Sequence, residues 1–161
     1  MPITPPPPVF DPIEFFAGRT HGDGVLKIIM RGACAVTVDS IGERRASERH
    51  GRERHNGDQQ GGELVLTQRV RECDKPVRTR SWTIRSNGDG TFDGALSDAT
   101  GPVDVRVNGP ILSIGYRIRG DLRIAQSIRV APDGRSAQNT MTARKFGMIV
   151  ARLDETITKL D

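Results

Sequence analysis

Beyond Gly18 the chain alternates apolar and polar residues with a period of two, the signature of half-buried strands. The alternation predicts ten strands, near residues 23–31, 34–42, 63–72, 77–86, 91–98, 102–108, 111–119, 121–131, 135–146 and 148–159. The breaks between them carry turn chemistry. Asn87-Gly88-Asp89-Gly90 is a strong hairpin signal, and Asn108-Gly109, Arg119-Gly120-Asp121 and Pro132-Asp133-Gly134 also read as turns. Sequential strands joined by tight turns predict an antiparallel up-and-down meander. Closing it into a barrel removes the edges that would recruit other chains, and eight to ten strands leave room for side chains or one small ligand. Two segments break the pattern. Residues 1–9 hold five of the ten prolines and predict an extended arm ahead of a single domain over 10–161. Residues 43–62 are polar throughout and predict a long exposed hairpin loop. Between arm and strands, Asp11 and Pro12 suit a helix cap and first turn, so a short helix or turn is expected over 11–17, with Phe15 and Phe16 to bury.

Alternation also assigns faces. Leu64, Leu66, Gln68 and Val70 share one, as do Arg80, Trp82 and Ile84; Leu112, Ile114, Tyr116 and Ile118; Ile124, Gln126, Ile128 and Val130; and Asn139, Met141, Ala143 and Lys145. Most of these apolar faces carry a polar residue. An unpartnered buried polar group costs roughly 1–3 kcal/mol, so a barrel with only a structural task has little reason to place so many inside. Gln68, Arg80, Trp82, Tyr116, Gln126, Asn139, Met141 and Lys145 are therefore the candidate ligand-binding residues. Polar groups converging in an apolar pocket suit a small hydrophobic or amphiphilic ligand, and Arg80 with Lys145 would favour an anionic head such as a fatty-acid carboxylate. Two alternatives stand beside this one: a structural or interaction protein whose barrel is filled by side chains, and an enzyme using Arg80, Tyr116 and Lys145 as acid–base groups.

Composition narrows the partners. The 161 residues carry 20 Arg against 4 Lys and a net charge of +4, but the Arg residues are spread over nearly every strand. With one Trp, one Tyr and five Phe there is no stacking platform for nucleic acid. No apolar run approaches the ~20 residues that span a bilayer, and the first residues lack the pattern of a signal peptide, so the cytoplasm is the default expectation. His21 is placed at a turn and His50 and His55 in the polar loop, with no metal spacing and no nucleophile motif nearby. No catalytic residue, metal ligand or cofactor is assigned, and oligomeric state is left open. Cys34 and Cys73 would lie nearly opposite if strands 34–42 and 63–72 pair. A bridge is then conceivable, although a reducing cytosol would keep both as thiols.

The motifs reached in this way resemble a known family. Phe15-Phe16-Ala17-Gly18-Arg19-Thr20 with Gly22 and Gly24, then Arg80-x-Trp82-x-Ile84, Asp98-x-x-Gly101, Tyr116, and Asn139-x-Met141 leading to Lys145-Phe146-Gly147, are together similar to the bacterial domain-of-unknown-function family 3833. The resemblance spans about Phe10 to Leu160. It implies a lipocalin-like (calycin) barrel with a short N-terminal helix plugging one end, and no activity, substrate or catalytic residue. Many members look like envelope lipoproteins, so envelope association is a second expectation, although this chain shows neither leader nor lipidated cysteine. The segment 43–62 is longer than the family's usual hairpin.

Overall fold

The computed structural model describes residues 8–46 and 62–161. The proline arm up to residue 7 and residues 47–61, with His50 and His55, lie outside the described residues. One short helix, α1 (Pro12–Phe16), precedes ten strands: β1 (Gly18–Ile28), β2 (Gly32–Ala46), β3 (Gly62–Glu72), β4 (Arg78–Ser86), β5 (Phe92–Leu96), β6 (Asp104–Asn108), β7 (Ile111–Ile118), β8 (Leu122–Val130), β9 (Ser136–Lys145) and β10 (Met148–Lys159). No helix among the described residues is long and apolar enough to cross a membrane.

The strands form one antiparallel sheet in the order β5-β4-β3-β2-β1-β10-β9-β8-β7-β6. First and last strands meet along most of their length, from Thr20 opposite Lys159 to Ile28 opposite Ala151. The seam of this nearly closed barrel therefore lies between β5 and β6. A single bridge, Gly94 to Val103, crosses it, and a Cβ on Gly94 would sit 2.6 Å from Val105 Cγ2. The glycine lets the two edges close up.

Two expectations about the strands need correcting. The first strand begins at Gly18, not near residue 23, so His21 lies in β1 opposite Asp39 rather than in a turn. The segment 43–62 is not all loop, because β2 runs on to Ala46 and β3 begins at Gly62. Glu43 to Ala46 pair with Val65 to Gly62, so ladder hydrogen bonds extend past the last apolar residue.

A one-turn helix has no stability of its own, so α1 is held from outside. Asp11 accepts hydrogen bonds from the amides of Ile13 and Glu14 at 3.1 and 3.2 Å, with Pro12 in the first turn where its missing N–H costs nothing. Lys159 Nζ, from the end of β10, donates to the carbonyls of Phe15 (2.6 Å), Glu14 and Ala17 (3.3 Å each), placing a cation on the negative end of the turn. Phe10, Ile13, Phe15 and Phe16 are buried and close this end of the barrel. The backbone of α1 lies directly on β2, where a Cβ on Gly42 would sit 1.9 Å from the Phe16 carbonyl oxygen.

The opposite end is not plugged. There Leu26, Val36, Val38, Val70 and Leu153 form a second apolar cluster, with Cys34 and Cys73 packed against it. The two cysteines are joined as a disulfide across β2 and the end of β3, with Cα atoms 5.1 Å apart. The expectation of two free thiols is thus replaced by a cross-link.

Gly42→Ala should push α1 off its seat and destabilise the fold by about 1–3 kcal/mol, as overpacking does elsewhere. Urea unfolding should show a lower midpoint at constant m-value; an unchanged midpoint would mean the helix is not seated on β2.

Candidate functional site

Side chains of alternating strand positions point into the barrel, and midway along it they are polar. Ser40 on β2, Gln68 on β3, Arg80 on β4, Gln126 on β8, Asn139 on β9 and Glu155 on β10 meet in one layer. Below it, toward α1, lies a space of about 50 Å³ walled by Phe16, Leu66, Trp82 and Ile114. Above it lies a cavity of about 470 Å³, lined chiefly by Leu26, Val36, Val70, Ile118, Ile124 and Leu153. That volume falls within the roughly 300–1,000 Å³ of small-molecule pockets. It is far more than a few waters, so a lumen filled by its own side chains does not describe this barrel.

The layer is organised by hydrogen bonds. Gln68 Nε2 donates to Ser40 Oγ at 3.0 Å, and Gln68 Oε1 accepts from Arg80 Nε at 2.7 Å and from Trp82 Nε1 at 2.9 Å. Gln68 and Trp82 are spent on orienting Arg80 and line only the small space, which makes them positioning residues rather than cavity walls. Arg80 makes no other side-chain hydrogen bond to a described residue, and it lines both the small space and the large cavity. Tyr116, edge-on to Trp82 with ring centroids 5.6 Å apart, lines the same cavity, as does Met141.

Across the lumen Asn139 Nδ2 donates to Glu155 Oε1 at 2.8 Å. Asn139 Oδ1 is the one buried side-chain polar atom without a partner among the described residues. Glycines on β1 give the carboxyl its room: a Cβ on Gly22 would lie 2.1 Å from Glu155 Oε2, and one on Gly24 3.0 Å from Glu155 Cβ. The Gly-x-Gly pair formed by Gly22 and Gly24 is thus a recess for a buried acid. Burial pushes the Glu155 carboxyl above its ordinary value, against the opposing pull of Asn139 and the Arg80 charge. Burial likewise lowers the Arg80 guanidinium from its ordinary value, although an arginine remains charged. Burial raises the Tyr116 phenol, which stays neutral.

Seven of the eight candidates therefore gather at this layer or on the cavity wall. Lys145 does not. It has the inward parity of Asn139, Met141 and Ala143, but it is the last residue of β9 and sits exposed above the rim, with Nζ 5.8 Å from the Phe146 ring centroid. The trio Arg80, Tyr116 and Lys145 is consequently not assembled; Arg80 shares the cavity with Arg31 and with Arg78, which is ion-paired to Asp98. Sequence reading missed Glu155 and Ser40. Glu155 was detectable as the charged residue between inward Leu153 and Ile157; in the register Gly24 faces it and Gly22 faces Ile157.

Similarity to known proteins agrees with this geometry. The family model described as Protein of unknown function (DUF3833) matches residues 4–159. The chain belongs to that family. Among solved structures, an S-type phycobiliprotein lyase, CPES from Guillardia theta, superimposes with a TM-score of 0.67 at 8% identity, covering 92% of this chain and 90% of the lyase. Rv2717c from M. tuberculosis gives a TM-score of 0.53 at 13% identity, covering 94% and 99%. At such identities the likeness establishes the family member's fold, a lipocalin-like barrel, and nothing of its chemistry. No curated protein matches the chain.

Glu155→Gln tests the buried acid. A carboxyl whose folded pKa lies above its unfolded value holds more protons in the native state, so stability falls as pH rises from the ordinary carboxylate range through the raised value. At neutral pH the Gln variant should melt about 2–4 °C higher. The gain should vanish below the ordinary carboxylate range, where wild-type Glu155 is protonated too. Equal melting temperatures at all pH values would mean that the layer does not disfavour the ionised acid.

Proposed function

We propose that the protein is a binding module that holds one small amphiphile in the barrel, tail in the apolar cavity and acceptor-bearing head at the Arg80–Tyr116 floor. The observation that carries this reading is Arg80 itself. Its Nε is fixed by Gln68, its terminal nitrogens have no partner among the described residues, and it lines a cavity of about 470 Å³ most of whose other lining residues are aliphatic. Glu72, Asp98 and Glu155 also line this cavity, but none of them hydrogen-bonds to Arg80. A cation withdrawn from water without a direct acceptor is costly, and a fatty-acid carboxylate supplies two acceptor oxygens in the geometry of the fork. Tyr116 supplies a further donor. The Cys34–Cys73 bond supports an oxidising compartment, and with it the envelope over the cytoplasm.

Displacement of a fluorescent fatty acid tests the assignment. Arg80→Met should weaken binding about thirtyfold or more, the cost of losing one partner of a desolvated charged pair. Lys145→Met, at the exposed rim, should leave affinity unchanged. Wild-type affinity in Arg80→Met would overturn the role of the guanidinium. An ionised Glu155 repels an anionic head, so affinity for an alkylsulfonate, whose head does not titrate, should rise as pH falls through the raised Glu155 value. Glu155→Gln should abolish that dependence.

A further inference from the structure

The open end of the barrel carries apolar side chains that the fold does not use. Two neighbouring hairpins form this part of the rim, the β1–β2 tip with Ile29, Met30 and Arg31, and the β9–β10 tip with Phe146, Gly147, Met148 and Ile149. They are adjacent because β1 pairs with β10, and the Ile29 amide donates to the Val150 carbonyl at 2.9 Å. Met30 is 97% exposed and Phe146 83% exposed, with Ile29, Met148 and Ile149 also exposed beside them.

The backbone makes this choice of residues harder to explain by folding. Met30 has φ +64° and Phe146 has φ +52°, in the left-handed region that hairpin tips reserve for Gly, Asn and Asp. Large apolar side chains held there in full exposure carry backbone strain and contribute no core packing. Such outliers point to use.

The outer wall below these tips is cationic and unneutralised. Arg117, Arg123 and Arg144 stand directly opposite one another across β7, β8 and β9. Lys27 and Arg152 do the same across β1 and β10. Like charges in register repel, and no carboxylate of a described residue forms an ion pair with any of these five. The nearby acids are Asp121 in the β7–β8 turn, Asp74 in the β3–β4 turn and Asp154 on the outer face of β10, and none of them pairs with these five cations. Ile29 and Arg31 also line the large cavity, so its mouth opens within this same face.

We infer that the open end of the barrel docks on an anionic lipid bilayer, with Met30, Phe146 and Met148 entering the acyl boundary and the arginine belt meeting the headgroups. Protruding apolar points backed by charge of one sign fit an interface whose apolar depth is shallow and whose surface is negative. A protein partner would be met by a broad packed core with a mixed polar rim, and a single exposed Phe gives nucleic acid no stacking platform. Docked in this way, the cavity mouth faces the membrane. The inference does not depend on which ligand the barrel holds, because bilayer binding is read without one.

The test is co-sedimentation of the full chain with vesicles of phosphatidylcholine alone or mixed with phosphatidylglycerol. The wild type should bind the anionic vesicles, more weakly as salt rises, and not the neutral ones. Asn accepts the left-handed backbone, so Met30→Asn with Phe146→Asn should keep or raise the melting temperature while weakening vesicle binding at least about tenfold. Arg123→Gln with Arg144→Gln should weaken it by a similar factor and flatten the salt dependence. Absence of vesicle binding by the wild type, or full binding by the Asn pair, overturns the inference. So does a wild-type dimer in sedimentation that the Asn pair makes monomeric while neither binds vesicles, because the face would then be a self-interface.

Discussion

A guanidinium and a carboxyl inside one barrel persist only if each keeps partners and some share of the other's field, and the middle of this structure is arranged to meet that condition. Arg80 and Glu155 do not pair directly; each is oriented by a neutral amide, Gln68 and Asn139. The amides hold the charges apart on opposite walls, so the lumen between them is not consumed by a salt bridge. That separation leaves Arg80 and Asn139, both of which line the large cavity, each with hydrogen-bonding capacity unmet by a described residue.

The rest of the architecture follows from the polar layer. Below it the barrel must be sealed, or water would enter from both ends and screen the charges. Phe10, Phe15 and Phe16 provide the seal, seated by Gly42 and by the Lys159 cap. Above it the walls are aliphatic and the end is open, stapled by Cys34–Cys73 rather than plugged. The barrel therefore has a sealed end, a charged floor and an accessible, largely apolar chamber, with exposed Met30 and Phe146 at the rim of the last.

Much of this was legible in the sequence, and the failures have physical causes. All ten strands were read, because alternation and turn residues are local signals. Parity identified the inward residues, but parity cannot say where a strand passes the rim, which is why Lys145 was misplaced. The start of β1 was missed because Gly18 and Gly22 look like loop residues; they are glycines to make way for Asp161 and Glu155 across the sheet. Glu155 was missed for the same reason, since the space it fills is created by residues more than a hundred positions away. The hairpin register brought Cys34 and Cys73 together correctly, but whether two facing thiols are oxidised is not written in spacing.

The most direct test of the account is native mass spectrometry of the full chain extracted gently from cells that make it. The account predicts a second species, heavier by the mass of one bound amphiphile, that collapses to the bare mass in Arg80→Met under the same extraction. A bare chain alone in the wild type, with no uptake of added fatty acid, would contradict it.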